Sequence, residues 1–489
     1  MKKYISSSVV FNVVWVLMIM GVVLGFPSSP FKKGFPAWDS AVFITCADML
    51  NHGKTMYVDF FDHKGPLMYL FDWLGLKIGG ITGLWVLEIV WFILSANLMY
   101  LIARIFTTKF ASFIGTMCGL AMVLQFECHN SVEFVALPFV CLGLWPLLKS
   151  IHDDSLPSYK AAIVSSVCLG ITVLLKPNIG SLIVFCMLSI AISCIGKKEY
   201  ALLWKYVFIC LGILSVMGLI VYLWLKSYSA WNCFVGQFWD FNIEYSHRFS
   251  LLAKLKSGIR LIFLTTLCSV SWLMSVFVLF GNRKDGQSFK ENLTLFLILF
   301  LSSFISCGLA GNEYAHYLIA IVPGYVIFIS KGISMAKNIK SKILVGLLLL
   351  VYGYSYTYNL YASLRNISSV SSNYTELNSA VDYVQAHTAE NDEICLYGVD
   401  PMLYYLSGRI PCTRYIYQWV VFKVRSDARE EYFNEIRQKQ PKLIVVAKDK
   451  IASLPEDISA QYLFEETSGC EYKFLIRKKY LKKINIPIR

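Results

Sequence analysis

The chain has 489 residues, 56% of them hydrophobic and 15% aromatic, only 16% charged, with a formal net charge of +13. A soluble globular chain averages about 25% charged, so this composition excludes an ordinary soluble enzyme and requires a bilayer to solvate most of the chain. Nor does the charge read as a nucleic-acid footprint: residues 362 to 489 hold 18 Lys+Arg against 16 Asp+Glu, so the surplus belongs to the apolar part before them.

The first apolar stretch, Val9 to Phe26, is long enough to cross a roughly 30 Å hydrocarbon core, and no small-residue cleavage site follows it, so it reads as a retained helix. Further spans are predicted near 83–103, 109–126, 133–149, 160–175, 178–196, 205–225, 258–280, 292–310, 315–330 and 342–361. The total is about eleven. Sixteen of the 27 basic residues before Ala362 then fall in short segments on one side, including Lys2, Lys3, Lys149, Lys160, Lys197, Lys198, Lys331 and Lys337. The positive-inside rule makes that side cytoplasmic, with the N-terminus inside and the C-terminus outside. Eleven of the sixteen acids of this part collect at the opposite face, from Asp39 and Asp62 to Glu133 and Glu313.

Two outer segments are long. Residues 27 to 82 contain Asp39 to Leu50, which reads as a short amphipathic helix, and Leu67 to Ile78, too short to span; such pieces suit helices lying in the interface plane. Residues 226 to 257 carry Trp231, Phe234, Phe238, Trp239, Phe241 and Tyr245, which fit an interfacial belt or a ring platform. After Tyr361 the pattern changes to a helix near 374–388, a strand at Ile394 to Val399, a helix near 427–439, a strand at Leu443 to Ala447 and another near Tyr472 to Ile476. The expected fold is therefore an all-α polytopic membrane domain, residues 1–361, with a small extracytoplasmic α/β domain, residues 362–489. The fourteen cysteines lack metal spacing and read as small core residues; a disulfide among Cys395, Cys412 and Cys470 is unsupported by any pattern.

The densest polar cluster is Trp38-Asp39 followed by Asp59-Phe60-Phe61-Asp62-His63-Lys64-Gly65-Pro66 in the first outer loop. A carboxylate there can deprotonate a hydroxyl, and a Lys can neutralise a phosphate leaving group. A solvated loop explains the same residues without chemistry. Glu127-Cys128-His129-Asn130-Ser131-Val132-Glu133 forms a second cluster in which His129 and Glu133 share a helix face. Lys176-Pro177-Asn178 places a cation at an outer helix end, where it binds phosphate or snorkels. Asn312-Glu313-Tyr314-Ala315-His316-Tyr317 offers rings beside a carboxylate. No Gly-rich phosphate loop, Gly-x-Ser-x-Gly elbow or His-Glu-x-x-His is present, so neither nucleotide-driven nor serine-hydrolase chemistry has support.

The first-loop element, Trp38-Asp39-Ser40 with Asp62-His63-Lys64-Gly65-Pro66-Leu67, resembles that of the GT-C membrane glycosyltransferases, nearest the protein mannosyltransferase and aminoarabinose transferase branch. Asn130 to Glu133, Lys176-Pro177-Asn178, His316-Tyr317, Ser407-Gly408-Arg409 and Thr413-Arg414-Tyr415 extend the resemblance along the chain. Ser40 stands where many relatives carry a second acid, and Gly65 replaces a Pro. The resemblance implies inverting transfer of a sugar from a polyprenyl-phosphate donor to a glycan, lipid or protein acceptor at the outer face. Asp39 would be the catalytic base, and Lys64, His63 and Lys176 would bind the donor phosphate. Asp62, Asn130, Glu133, Glu313 and His316 would contact substrate. It fixes no cofactor, and a divalent cation is compatible with it. A transporter or flippase of lipid-linked sugars and a non-catalytic membrane scaffold are the competing readings; the first favours repeated halves with polar groups at mid-membrane.

Overall fold

The computed structural model describes residues 7–126, 130–281, 285–309, 311–368, 372–466 and 470–481. In chain order the helices are α1 (Ser7–Leu24), α2 (Asp39–Asn51), α3 (Pro66–Phe106), α4 (Lys109–Gln125), α5 (Val132–His152), α6 (Tyr159–Leu175), α7 (Ser181–Gly196) and α8 (Tyr200–Ser227). Two short helices follow, α9 (Trp231–Phe234) and α10 (Phe241–His247), then α11 (Leu251–Ile259), α12 (Thr266–Gly281), α13 (Gly286–Gly308), α14 (Val322–Met335) and α15 (Ile339–Ser368). Among the described residues seven helices are long and apolar enough to cross a bilayer, or eight if the bent pair Leu251–Leu264 and Thr266–Gly281 is one span; Val13–Leu24, Lys109–Gln125 and Tyr159–Leu175 are apolar but shorter. The chain is an integral multi-pass membrane protein.

It divides into two compact units. The first comprises Met1–Leu24, Val86–Trp224 and Ser246–Leu364. Its helix starts are set by hydroxyl caps: Thr108, Ser131 and Ser158 each accept a backbone N–H three residues on. Its helices approach closely where one side is small. A Cβ on Gly115 would collide with Ser330 on α14, and one on Gly119 with Val326, so α4 lies against α14 at glycine range.

The second unit comprises Gly25–Trp85, Leu225–Tyr245 and Arg365–Arg489. It holds α2, the irregular residues 52–65, the start of α3, the aromatic segment around α9 and α10, and the C-terminal region. That region adds α16 (Ser372–His387), α17 (Met402–Ser407), α18 (Val421–Val424), α19 (Asp427–Lys439) and the strands β1 (Glu393–Tyr397), β2 (Ile410–Pro411), β3 (Leu443–Ala447), β4 (Tyr462–Glu466) and β5 (Tyr472–Arg477). The sheet order is β2-β1-β3-β5-β4, with β1 parallel to β2 and β3, and β5 antiparallel to β3 and β4. Strands β1 and β3 are buried at almost every position, as a sheet covered on both faces demands.

Three expectations change here. Helix α2 does not lie in an interface with one bare face: Ser40 through Ala47 are all buried, because α17 packs against it. Leu67 to Ile78 is the first part of α3, which breaks at Gly79 and Gly80; Gly80 has φ 61 and ψ −146, a conformation that residues with a Cβ rarely adopt. The aromatic segment is neither a lipid belt nor an open platform throughout, since Phe234, Phe238 and Phe241 are buried, Phe234 against Tyr57 and Phe241 against Phe61 and His63. Its stacked Phe234–Phe238 pair joins the end of α9 to the π-helical turn Val235–Asp240, which contains Phe238. Every cysteine among the described residues is free.

Candidate functional site

In the second unit, Pro66 opens α3 and Gly65 turns the chain into it, with Met68 N–H donating to the Gly65 carbonyl at 3.2 Å. This turn fixes the residues just before it. Asp62 is fully buried, and its Oδ1 accepts the Tyr417 hydroxyl at 2.7 Å while its Oδ2 accepts the Tyr69 hydroxyl at 2.8 Å. The His63 N–H adds a third bond at 2.8 Å. Burial pushes the Asp62 carboxyl up, opposed by the Lys64 charge and by these three donors.

From Asp62 the bonding continues outward. Tyr417 gives its proton to Asp62, so the His63 Nδ1 at 3.0 Å must donate to the Tyr417 oxygen. Nε2 is then an acceptor, and Lys64 Nζ donates to it at 2.6 Å. The imidazole is thus a neutral spacer between an ammonium and a phenol. Tyr57 and Tyr69 both donate to the Lys64 carbonyl, at 2.9 and 3.1 Å, and Asn242 donates to the His63 carbonyl at 2.8 Å. Gln237 ties the loop twice more, accepting from Asp62 N–H and donating to the Tyr57 carbonyl. Lys64 and His63 remain partly exposed at the end of this buried lattice.

Asp39 stands apart from that lattice. It is exposed in the first turn of α2, where an acidic side chain suits the helix dipole, and among the described residues no side chain bonds to its carboxylate. Ser40 beside it is buried. Asp39 acts at range on Tyr417, whose hydroxyl is pushed up chiefly by burial, then by Asp62, with Asp39 contributing less.

The first unit carries a separate cluster. Lys176, in the β conformation that ends α6, donates to Glu133 Oε1 at 2.6 Å, and its Nζ lies 3.8 Å from the centre of the Tyr317 ring. His316 is set edge-on to Tyr317 and stacked with Tyr314. Asn130 N–H donates to Glu88 Oε1 at 2.9 Å, and both residues are buried. Glu133, Lys176, Asn130 and His316 are therefore polar groups of one unit, while Glu313 is exposed and engaged with Arg260 at 3.0 Å. Glu127, Cys128 and His129 lie outside the described residues. Among the described residues no three His, Cys, Asp or Glu side chains are grouped to hold a metal ion.

Tyr417, Tyr69, Gln237 and Asn242 were not singled out from the sequence. Tyr69 lies seven residues past Asp62 on the first helical turns of α3, a spacing that could have suggested it; the others reach the loop from 175 to 355 residues away and leave no local signal.

The sequence of residues 3–344 matches the model of a family described as "Putative competence-induced protein Ccs4 N-terminal domain". The chain belongs to this family. No curated protein matches it by sequence. Among solved structures it is similar to ArnT from Cupriavidus metallidurans bound to undecaprenyl phosphate, at 12% identity and a TM-score of 0.61 over 94% of this chain and 98% of that one. The apo state of the same ArnT gives a TM-score of 0.63 at 13% identity, over 95% and 98%. The oligosaccharyltransferase of Archaeoglobus fulgidus in its apo form gives 0.54 at 12% identity, over 92% of this chain and 70% of that one. This member of the family has the GT-C fold.

Proposed function

We propose that this chain is an inverting glycosyltransferase that moves a sugar from a polyprenyl-phosphate donor to a cell-envelope acceptor at the outer face of the membrane. In this reading the N-terminus is cytoplasmic, eleven helices span in a transferase domain of residues 1–361, and residues 362–489 form an extracytoplasmic domain. The three shorter apolar helices supply the spans beyond the eight long ones. The observation that carries the reading is the pairing, within one unit, of an exposed carboxylate at Asp39 with an ammonium at Lys64 that is held by a neutral imidazole.

The chemistry follows from those two groups. The Asp39 carboxylate takes the proton of the acceptor hydroxyl as its oxygen bonds to the anomeric carbon. The bond from that carbon to the phosphate oxygen breaks, and its electron pair leaves with the polyprenyl phosphate. Lys64 stabilises the resulting charge, with His63 fixing the ammonium. Lys64 contacts an imidazole and no carboxylate among the described residues, leaving it open to an incoming phosphate, whereas Lys176 is paired with Glu133. Lys176, Glu133, Asn130 and His316 accordingly suit hydroxyl or headgroup contacts, and Glu313 is the weakest of the set because Arg260 engages it. Asp62 is reassigned from substrate contact to holding the loop, since its oxygens are taken by Tyr417 and Tyr69. Undecaprenyl phosphate, seen bound to the similar ArnT, is the carrier to test first.

The test is transfer of radiolabelled sugar from a panel of undecaprenyl-phosphate hexoses and pentoses into envelope material, in membranes containing the wild type or Asp39→Asn. Transfer by the wild type and its loss in the variant is the expected result. Equal transfer by both overturns Asp39 as base, and no transfer from any donor favours lipid-linked sugar transport or a scaffold.

A further inference from the structure

One half-buried carboxylate of this unit has no part in the chemistry above. Asp400 follows β1, and its Oδ1 accepts the Met402 N–H at 2.9 Å where α17 begins. The backbone N–H of Trp38, the residue immediately before Asp39, faces the same carboxylate and favours its charged form. Trp38 has φ 54 and ψ −126, a conformation a tryptophan rarely adopts, and its side chain is 73% exposed. The exposed indole meets Trp419 edge to face at 6.1 Å, and Trp419 packs at 5.0 Å on Tyr417. Further along α2, Thr45 donates to the Pro401 carbonyl at 3.0 Å. Residues 400–401 and 417–419 therefore grip the first turns of α2 from the C-terminal region of the same unit.

We propose that Asp400 is a positioning residue that holds Trp38 in its positive-φ conformation and thereby sets the direction from which Asp39 meets the acceptor. The proposal rests on Asp39 being the base. An isolated strained residue persists where its surroundings over-determine it, and here the Asp400 carboxylate meets the Trp38 N–H while Trp419 meets its ring. A glycine at 38 would remove the strain and the ring contact together.

An acid in this place has a cost that separates positioning from mere packing. Burial pushes the Asp400 carboxyl up to about 6, opposed by the Met402 and Trp38 N–H groups. Tyr472 on β5 is the titratable side chain in electrostatic range of it among the described residues. Because the folded chain binds this proton more readily than the unfolded one, stability rises as the pH falls from about 6 toward the ordinary carboxylate range. Removing the charge should then stabilise the protein at neutral pH while harming the reaction, an opposition that a structural carboxylate would not produce.

The experiment uses the purified full chain in detergent as wild type, Asp400→Asn and Asp400→Ala. Hydrogen exchange at residues 36–42, thermal unfolding at pH 7.5 and 5, and transfer kinetics with the donor panel are measured together. The expected result for Asp400→Asn is faster exchange at 36–42 with unchanged exchange at 443–447, and a thermal midpoint at pH 7.5 no lower than wild type. Turnover should fall on the order of 10-fold with the donor KM within about 2-fold, the pattern of a misplaced catalytic group. Unchanged exchange at 36–42 overturns the proposal, as does faster exchange with full turnover. If Asp400→Ala unfolds, Asp400→Asn still decides. If the wild type transfers nothing, the glycosyltransferase reading fails, and the exchange measurement alone still tells whether Asp400 holds the Trp38 turn.

Discussion

The two units each contain a lysine near a buried carboxylate, and they use it in opposite ways. In the first, Lys176 touches Glu133 directly and the pair is close to neutral. In the second, two groups intervene between Lys64 and Asp62 along the bonded path, an imidazole and a phenol, so the ammonium is not paired with the carboxylate and the carboxylate keeps its place. The contrast separates a cation built to be satisfied from one built to be available. It also separates acids: Asp62 and Glu133 are buried and bonded, while Asp39 is exposed and has no side-chain partner among the described residues.

Substitutions can break this contrast. The largest effect is expected for Asp39→Asn, which should slow transfer by about 10²–10⁴-fold, the range for loss of a general base, with little change in thermal stability. Lys64→Met should cost about 10²-fold in turnover, as for a lost group that stabilises developing charge, read from the same labelled-sugar assay. Lys176→Met should act mainly on stability: it strands Glu133 in a buried site and should cost about 3–5 kcal/mol, largely recovered in the double variant with Glu133→Gln, as unfolding in detergent will show. If Lys176→Met abolishes transfer without destabilising, the two lysines are not different in kind. Tyr417→Phe removes one donor from Asp62 and one acceptor from His63 and should cost about 1–3 kcal/mol together with part of the turnover. The smallest effect is expected for Arg425→Ala, since its pair with Glu244 is partly exposed and such pairs contribute about 0–1 kcal/mol.

Regular segments were legible in the sequence and long-range lattices were not. The strands around Ile394, Leu443 and Tyr472 and the helices near 374–388 and 427–439 lie close to where composition put them, because each is a local run with its own period. Strand β2 was missed because two residues carry no period, and β4 because Leu463, Phe464, Glu465 and Glu466 do not alternate cleanly. At the site, Asp39, His63 and Lys64 stood out as polar residues in an apolar chain, but their roles depend on Tyr417, Gln237 and Asp400, which lie in unremarkable sequence. The amphipathic reading of α2 failed for a related reason: its polar positions Ser40 and Thr45 are small hydroxyls that pack or bond internally, so they mark no wet face.

The order of the sheet has a consequence for how this protein behaves when crowded. Its two outermost strands are the places where another chain could add itself by backbone pairing. On one side β2 is only two residues long, too little to template a neighbour. On the other, β4 shows Leu463 and Phe464 to solvent but ends in two acids, Glu465, which accepts the Tyr383 hydroxyl, and Glu466, which pairs with Lys473. Charge-neutral replacement of those two acids would leave the exposed Leu463 and Phe464 edge without its charged end, which is where stickiness would begin.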